Sequence, residues 1–259
     1  LPRQPAQTPR GLVLGDPLKP LFNRAVSGLY APGSTIKPLV ALAALTEGII
    51  TPEQQIFSSG SIEVPNPYRP DQPSRFLDWR PHGWVDLYAA IARSSNVYFY
   101  EVGGGYPGQR GLGITRLRAW WGKLGLGQRT GIDLVGEKEG FLPDPSWQEA
   151  VRGAPWRLGD TYNVSIGQGD LLVTPIGLLN YVAAIANGGV LYQPRAVRAI
   201  GDEGESAVLE TKPRVLADLR DEIARALPHV RRGMEDTVAK PYGSAHLLAD
   251  LPVSVAGKT

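Results

Sequence analysis

The sequence predicts a predominantly helical chain with strand character mostly near its C-terminus, and three observations carry that expectation. Residues 38–45, Pro-Leu-Val-Ala-Leu-Ala-Ala-Leu, are apolar on every side and run to Gly48. That pattern marks a buried central helix with glycine at C′ rather than an amphipathic surface helix. Thr174-Pro175 pairs an N-cap with a first-turn proline and opens a run through Leu178, Leu179, Val182 and Ile185 that Asn187-Gly188-Gly189 closes. The last eight residues, Pro-Val-Ser-Val-Ala-Gly-Lys-Thr, read as a strand that stops in mid-pattern.

The other elements follow in order. Residues 1–10 are rich in Pro and Gln and begin without methionine, so both ends are expected to be cuts in a longer protein. Pro38 is compatible with a helix start because the first turn has backbone donors to spare. Residues 49–84, rich in Pro, Ser, Gly and Asp, read mainly as loop. Asp86 caps one helix through Leu87, Ile91, Val97 and Phe99 that ends at Gly103-Gly104-Gly105. A further helix spans about 115–124, with Trp120 and Trp121 on its buried side. Short strands are expected at 190–192 and 207–210, then a charged amphipathic helix over 217–225, interrupted at Pro228. There is no internal repeat.

Composition narrows the class. With 42% apolar and 20% charged residues, the 259-residue chain has the balance of a globular protein with a sizeable core. A net charge of +2 with scattered basic residues gives no reason to expect nucleic acid; Arg231-Arg232 reads as a solvated helix end. Cysteine is absent, which removes disulfide and thiol chemistry and suits an oxidising compartment. No window approaches twenty consecutive apolar residues, so the anchor of a membrane-attached parent is expected to lie outside this chain.

Three short motifs bear on chemistry. Ser34-Thr35-Ile36-Lys37 places a hydroxyl and an amine three apart where a helix begins, on one face, and a partly buried lysine can deprotonate such a serine. Alone it is weak, because roughly one such pair is expected by chance in a chain of this composition. Ser94-Ser95-Asn96 interrupts an apolar helical run, and buried groups of this kind need hydrogen-bond partners from the core or from a ligand. Gly257-Lys258-Thr259 lies on the terminal run, where a lysine by itself is ordinary edge chemistry. Together, and in this order, they form the Ser-x-x-Lys, Ser-x-Asn, Lys-Thr-Gly set of penicillin-binding proteins and class A β-lactamases.

On these residues the chain resembles a penicillin-binding protein transpeptidase domain. Asn23-Arg24-Ala25, Tyr30-x-Pro-Gly-Ser-Thr-x-Lys-Pro, Thr130-Gly131-Ile132-Asp133-Leu134 and Gly159-Asp160-Thr161 extend the match. So do Gly167-Gln168-Gly169, Ala186-Asn187-Gly188-Gly189 and Val255-Ala256-Gly257-Lys258-Thr259. Tyr30 and Asp78-Trp79-x-x-His82-Gly83 are most similar to the class B, elongation-type group, penicillin-binding protein 2. After Thr174-Pro175 the family usually has glutamine where this chain has Ile176, a change expected to affect packing only.

The resemblance implies an α+β fold of the serine transpeptidase/β-lactamase type, here mostly its helical part with an incomplete antiparallel sheet and its first active-site strand. Residues 1–259 would be one transpeptidase domain cut at both ends, unstable or inactive alone. It implies a peptidoglycan D,D-transpeptidase. Ser34 is the implied nucleophile on the penultimate D-Ala carbonyl and Lys37 the base, neutral through burial and the nearby Lys258. Ser94 is the implied proton relay, and Asn96 holds either the substrate amide or Lys37. Lys258 and Thr259 meet the terminal carboxylate of a stem peptide or a β-lactam. The oxyanion hole pairs the Ser34 N–H with a donor just beyond Thr259. No cofactor is implied, and none of the three histidines completes a triad.

Some relatives in that group hold zinc near the segment of Asp78 and His82 with a cysteine among the ligands. This cysteine-free chain offers two of four donors there, so no metal is expected. Implied partners are stem peptides, β-lactam antibiotics, a SEDS-family glycosyltransferase and elongation-complex proteins, at the outer face of the bacterial cytoplasmic membrane or in the periplasm. Rival readings are a D,D-carboxypeptidase or β-lactamase using the same acyl-serine chemistry, and a non-catalytic regulatory module for a membrane glycosyltransferase. The absence of Gly-x-Ser-x-Gly argues against an α/β-hydrolase.

Overall fold

The computed structural model describes residues 15–66, 69, 71–201 and 209–259. Its centre is α2 (Lys37–Thr46), entered from the short α1 (Arg24–Ser27) through a 3-10 turn (Gly33–Ile36). Residues 37–44 of α2 are all buried, and the left-handed Gly48 (φ 62°) follows its cap, as the uninterrupted apolar run requires. Around it pack α3 (Leu87–Arg93), α4 (Asn96–Gly104), α5 (Gly113–Lys123) and α10 (Leu227–Ala239), with α10 lying along α3. On the far side of α4 lies α7 (Leu158–Ser165), reached through α6 (Pro145–Arg152). The helix α8 (Pro175–Asn187) opens with the Thr174 hydroxyl accepting from the Gly177 N–H (3.2 Å). Trp120, Trp121, Tyr98, Phe99 and Tyr162 fill the core between these helices.

All strands are antiparallel and short. Among the described residues they occur as two-stranded pairs rather than as one sheet. β1 (Ile56–Ser58) pairs with β4 (Gly83–Val85), and β2 (Ser61–Val64) with β3 (Ser74–Leu77) nested between them. The segment expected to be loop is therefore a two-tiered arm against α4. Strands of three or four residues give too few alternations for periodicity to separate them from loop. β5 (Val190–Tyr192) pairs with β8 (Val215–Asp218), and β6 (Ala199–Ile200) with β7 (Leu209–Glu210). Residues 207 and 208 of one expected strand lie outside the described residues.

Four further expectations are corrected. The single helix after Asp86 is two, because Ser94 turns left-handed (φ 57°) and Ser95 then caps α4. Pro228 begins α10 instead of interrupting a helix, since a first-turn proline sacrifices no bonded N–H; the preceding segment is β8 plus one turn, α9 (Arg220–Ile223). The last residues form no strand: Gly257 N–H donates to the Met234 carbonyl (3.0 Å), and no neighbouring strand pairs with them among the described residues. Arg231 is no solvated end either. It donates to the Ile185 and Ala186 carbonyls (2.8 and 2.6 Å) and satisfies the C-terminus of α8. Among the described residues, no helix is long and apolar enough to cross a membrane.

Helix α4 approaches α7 closely because Gly103 and Gly104 lack side chains, and Gly103 is the tighter of the two. A Cβ there would lie 1.9 Å from Ser165 Oγ, which is itself tied to the Thr161 carbonyl (2.6 Å). In α5, a Cβ on Gly122 would meet nothing nearer than 3.8 Å. In thermal melts of the full-length protein, Gly103→Ala is expected to cost about 1–3 kcal/mol. The same change at Gly122 should be neutral or stabilise by up to about 1 kcal/mol. Equal melting of the two variants would contradict this packing.

Candidate active site

Ser34 is half-buried at the second position of the 3-10 turn, and Lys37 closes that turn by donating its N–H to the Ser34 carbonyl. Side chains three apart eclipse on such a turn, so Ser34 and Lys37 share one side of it. The turn is pinned from behind. Gly33 N–H donates to the Gly167 carbonyl (2.9 Å), and a Cβ on the left-handed Gly167 (φ 75°) would sit 2.1 Å from the Gly33 carbonyl oxygen. Tyr181 Oη donates to the Thr35 carbonyl, and Tyr30 exchanges two backbone hydrogen bonds with Val173 (3.0 and 2.9 Å). The Gly-Gln-Gly segment and the residues before Thr174 thus hold the serine turn.

Lys37 is fully buried, and its Nζ reaches across to the elbow between α3 and α4. It donates to the Ser94 carbonyl (2.8 Å) and Asn96 Oδ1 (2.7 Å) and lies 3.3 Å from Ser94 Oγ. Of the two partners open to Asn96, the structure shows Lys37; its Nδ2 donates to the Leu77 carbonyl (3.3 Å). The left-handed Ser94 makes this reach possible, since it turns a backbone carbonyl and a hydroxyl toward the lysine. Backbone outliers of this kind in non-glycine residues cluster at functional sites. The third segment closes over the same point, with Ser94 Oγ donating to the Thr259 carbonyl (3.3 Å) and Thr259 Oγ1 donating to Ser244 Oγ (2.6 Å). Lys258 Nζ donates to the Thr259 carbonyl.

Burial, and then the positive charge of Lys258, push the Lys37 amine well below its ordinary 10.5, against a smaller opposing pull from Asp78. Burial likewise brings Lys258 down to about 7. Lys258 thus adds to burial in suppressing the charge of Lys37, while its own is suppressed by burial. A neutral Lys37 can accept a proton, and Lys258 near 7 remains partly cationic, able to meet a carboxylate.

Asp78, beside β3, fixes the elbow. One carboxylate oxygen accepts from Ser95 Oγ (2.8 Å), Ser58 Oγ (3.1 Å) and the Val97 N–H (3.0 Å), and the other from the Trp79 N–H (2.9 Å). Burial pushes this acid up, but the Asn96 and Val97 N–H groups, the Ser95 hydroxyl and His82 outweigh it and hold it below its usual value. It sits at the N-terminus of α4, where an anion is favoured. Sequence reasoning gave Asp78 no structural role beyond a family motif and an insufficient metal donor pair, and passed over Ser58, since nothing local marks an acid that caps a helix seventeen residues on.

The residues around Asp78 do not fit a structural zinc. His82 Nε2 is 3.5 Å from Asp78 Oδ1, and neither His82 ring nitrogen has a hydrogen bond. The remaining neighbours are serine hydroxyls engaged with the carboxylate. No group of three or more potential ligands occurs among the described residues, whereas structural zinc takes four. Burial leads in lowering the His82 pKa, so the ring is neutral near pH 7.

With this geometry in place, comparison with known proteins is informative. Residues 2–259 match the family described as Penicillin binding protein transpeptidase domain. The chain belongs to that family. It is 36% identical over 252 residues to the peptidoglycan D,D-transpeptidase MrdA of Haemophilus influenzae, covering 95% of this chain and 36% of that protein. Pseudomonas aeruginosa PBP2, solved in complex with WCK 5153, superposes with a TM-score of 0.76 at 33% identity, over 93% of this chain and 49% of that one. Helicobacter pylori PBP2, solved in complex with MreC, gives 0.79 at 31% identity, over 95% and 42%. The chain thus spans little more than a third of the curated relative, and it is a transpeptidase-family segment of the PBP2 type.

In this transpeptidase site, Asp78→Asn places an amide N–H₂ against hydroxyl and N–H donors and loosens the elbow that presents Ser94 and Asn96. Acylation of the full-length protein by a fluorescent penicillin is expected to slow by about ten- to a hundredfold. The stability loss should be about 1–3 kcal/mol. Acylation at the wild-type rate would show that the carboxylate does not set the turn.

Proposed function

We propose that the protein is a peptidoglycan D,D-transpeptidase, with this chain supplying Ser34, Lys37, Ser94, Asn96, Lys258 and Thr259 as one segment of a longer protein. The observation that carries the reading is a fully buried, charge-suppressed lysine held by the Ser94 carbonyl and Asn96 Oδ1, one 3-10 turn from a serine. Ser34 Oγ attacks the penultimate D-Ala carbonyl of a stem peptide as its proton passes to Lys37. The Ser34 N–H and a donor following Thr259 stabilise the oxyanion. Collapse breaks the C–N bond, and the departing D-Ala nitrogen takes its proton from Lys37 through Ser94 Oγ, 3.3 Å away. An amine of a neighbouring stem then attacks the acyl-enzyme, loses its proton by the reverse path, and releases Ser34 with the cross-link made.

Lys258 and Thr259 hold the terminal carboxylate, and a β-lactam enters as a mimic of that end. Backbone donors polarise the carbonyl and Lys and Ser carry the proton, so the scheme calls on no cofactor. Membership of the family supports a location at the outer face of the bacterial cytoplasmic membrane or in the periplasm, with the anchor in another part of the protein. There it would work with a SEDS-family glycosyltransferase and elongation-complex proteins; the complex of Helicobacter pylori PBP2 with MreC supports a protein partner of the second kind.

Labelled penicillin is expected to attach to the full-length protein as a long-lived adduct, and Ser34→Ala should abolish it. Equal labelling of that variant would overturn the assignment, and a rapidly hydrolysed adduct would point instead to a β-lactamase.

The acylation rate should also trace a bell against pH. Below the folded pKa of Lys37 the base is protonated and the rate falls. Above about 7 Lys258 loses its charge and the rate falls again. Because the amines interact, the two limbs belong to the pair. Lys258→Arg keeps a permanent cation and should remove the alkaline limb. A limb that persists in this variant would contradict the role given to Lys258.

A further inference from the structure

Glu101 has no part in the scheme above. It lies on the apolar helix α4, five residues beyond Asn96, or about 8 Å along the axis at 1.5 Å per residue. The residue is only 8% exposed. Its carboxyl has neither a hydrogen bond nor an ion pair among the described residues, and burial alone lifts it to about 7. Its oxygens are not sealed in the core, so the acid is presented to whatever occupies the space it opens into, as a charge-perturbed group in a cleft.

Glu101 faces a groove of about 540 Å³, which it lines with Gln54, Phe57, Trp84, Tyr106 and Gln109. That volume is in the range of small-ligand sites. Phe57 and Trp84 are directly opposed across β1 and β4, with ring centroids 5.2 Å apart, yet they are 52% and 64% exposed. The Gln109 amide is fixed by the Arg110 carbonyl (2.7 Å) and receives a bond from Gln54, so the polar rim is preformed. The rings form an open platform tilted by 58°, not a cage around a point charge. Open aromatic faces beside fixed amides and a carboxyl match a sugar ring, which can lie on either of the two inclined rings. One face of the sugar is C–H, and its rim carries hydroxyl and acetamido N–H donors.

We propose that this groove binds an N-acetylhexosamine unit of the glycan strand whose stem peptide is offered to Ser34. The inference rests on the transpeptidase reading for the identity of the polymer. It makes the β1/β4 arm a strand-holding subsite next to the chemistry.

The test is calorimetric titration of the full-length protein with chitotetraose, in parallel with penicillin labelling. Saturable binding is expected, at least tenfold weaker in Trp84→Ala and several-fold weaker in Glu101→Gln, with labelling unchanged in both. Trp84 is exposed, so its variant decides the matter even if Glu101→Gln folds poorly. No sugar binding by a protein that still labels, or binding indifferent to Trp84→Ala, overturns the groove proposal. Loss of labelling in the wild type overturns the transpeptidase reading and leaves the sugar titration readable on its own.

Discussion

The site depends on one constraint: an amine completely removed from water must be hydrogen-bonded and is driven toward its neutral form. Lys37 meets the first condition through the Ser94 carbonyl and Asn96 Oδ1, and the second through burial and the facing Lys258. Both conditions make it a base rather than a counter-ion. The apolar α2 supplies the burial, since residues 37–44 have no exposed face. The same helix that forms the centre of the core therefore also tunes the proposed catalytic amine, and changes in its packing act on chemistry.

The acceptors have to be delivered as exactingly as the lysine. That falls to the left-handed Ser94, a costly conformation for a residue with a Cβ, which persists because its surroundings over-determine it. Asp78 is one of those determinants, acting through the residues that follow Ser94. It gathers the Ser95 hydroxyl and the Val97 N–H onto one oxygen and ties them to Ser58 on β1. The short β1–β4 arm thereby becomes a brace for the elbow. On the opposite flank Gly167 braces the serine turn by backbone contact that a side chain would exclude. Lys37, the elbow and the terminal segment come from distant parts of the chain and meet at Ser94 through hydrogen bonds of 2.8 and 3.3 Å.

What was legible in the sequence was local. The apolar run of α2, the Thr174-Pro175 start of α8 and the buried Trp120 and Trp121 follow from patterns within a dozen residues. The motif residues Lys37, Ser94 and Asn96 were visible as chemistry, although only their order with Gly257-Lys258-Thr259 raised them above chance. What escaped depends on tertiary partners. A serine adopts φ 57° only when something holds it, so the break between α3 and α4 looked like continuous helix. The strands of the arm are too short for their alternation to register. Pro228 carries the same local signal whether it ends one helix or begins the next. A terminal run with strand composition stays unladdered where no described neighbour pairs with it. Asp78 was visible as a family landmark, but its bracing task was not, because its partners lie on β1 and at the start of α4.

The protonation state of Lys37 is the quantity on which the account turns. It can be read directly by NMR titration of full-length protein labelled at the lysine ¹³Cε, with the Lys37 signal assigned from its absence in Lys37→Met. A midpoint well below the ordinary lysine value of 10.5, moving upward when Lys258 is replaced by methionine, is the predicted result. A midpoint at the ordinary value, insensitive to Lys258, would mean that Lys37 is a cation at neutral pH and cannot be the base.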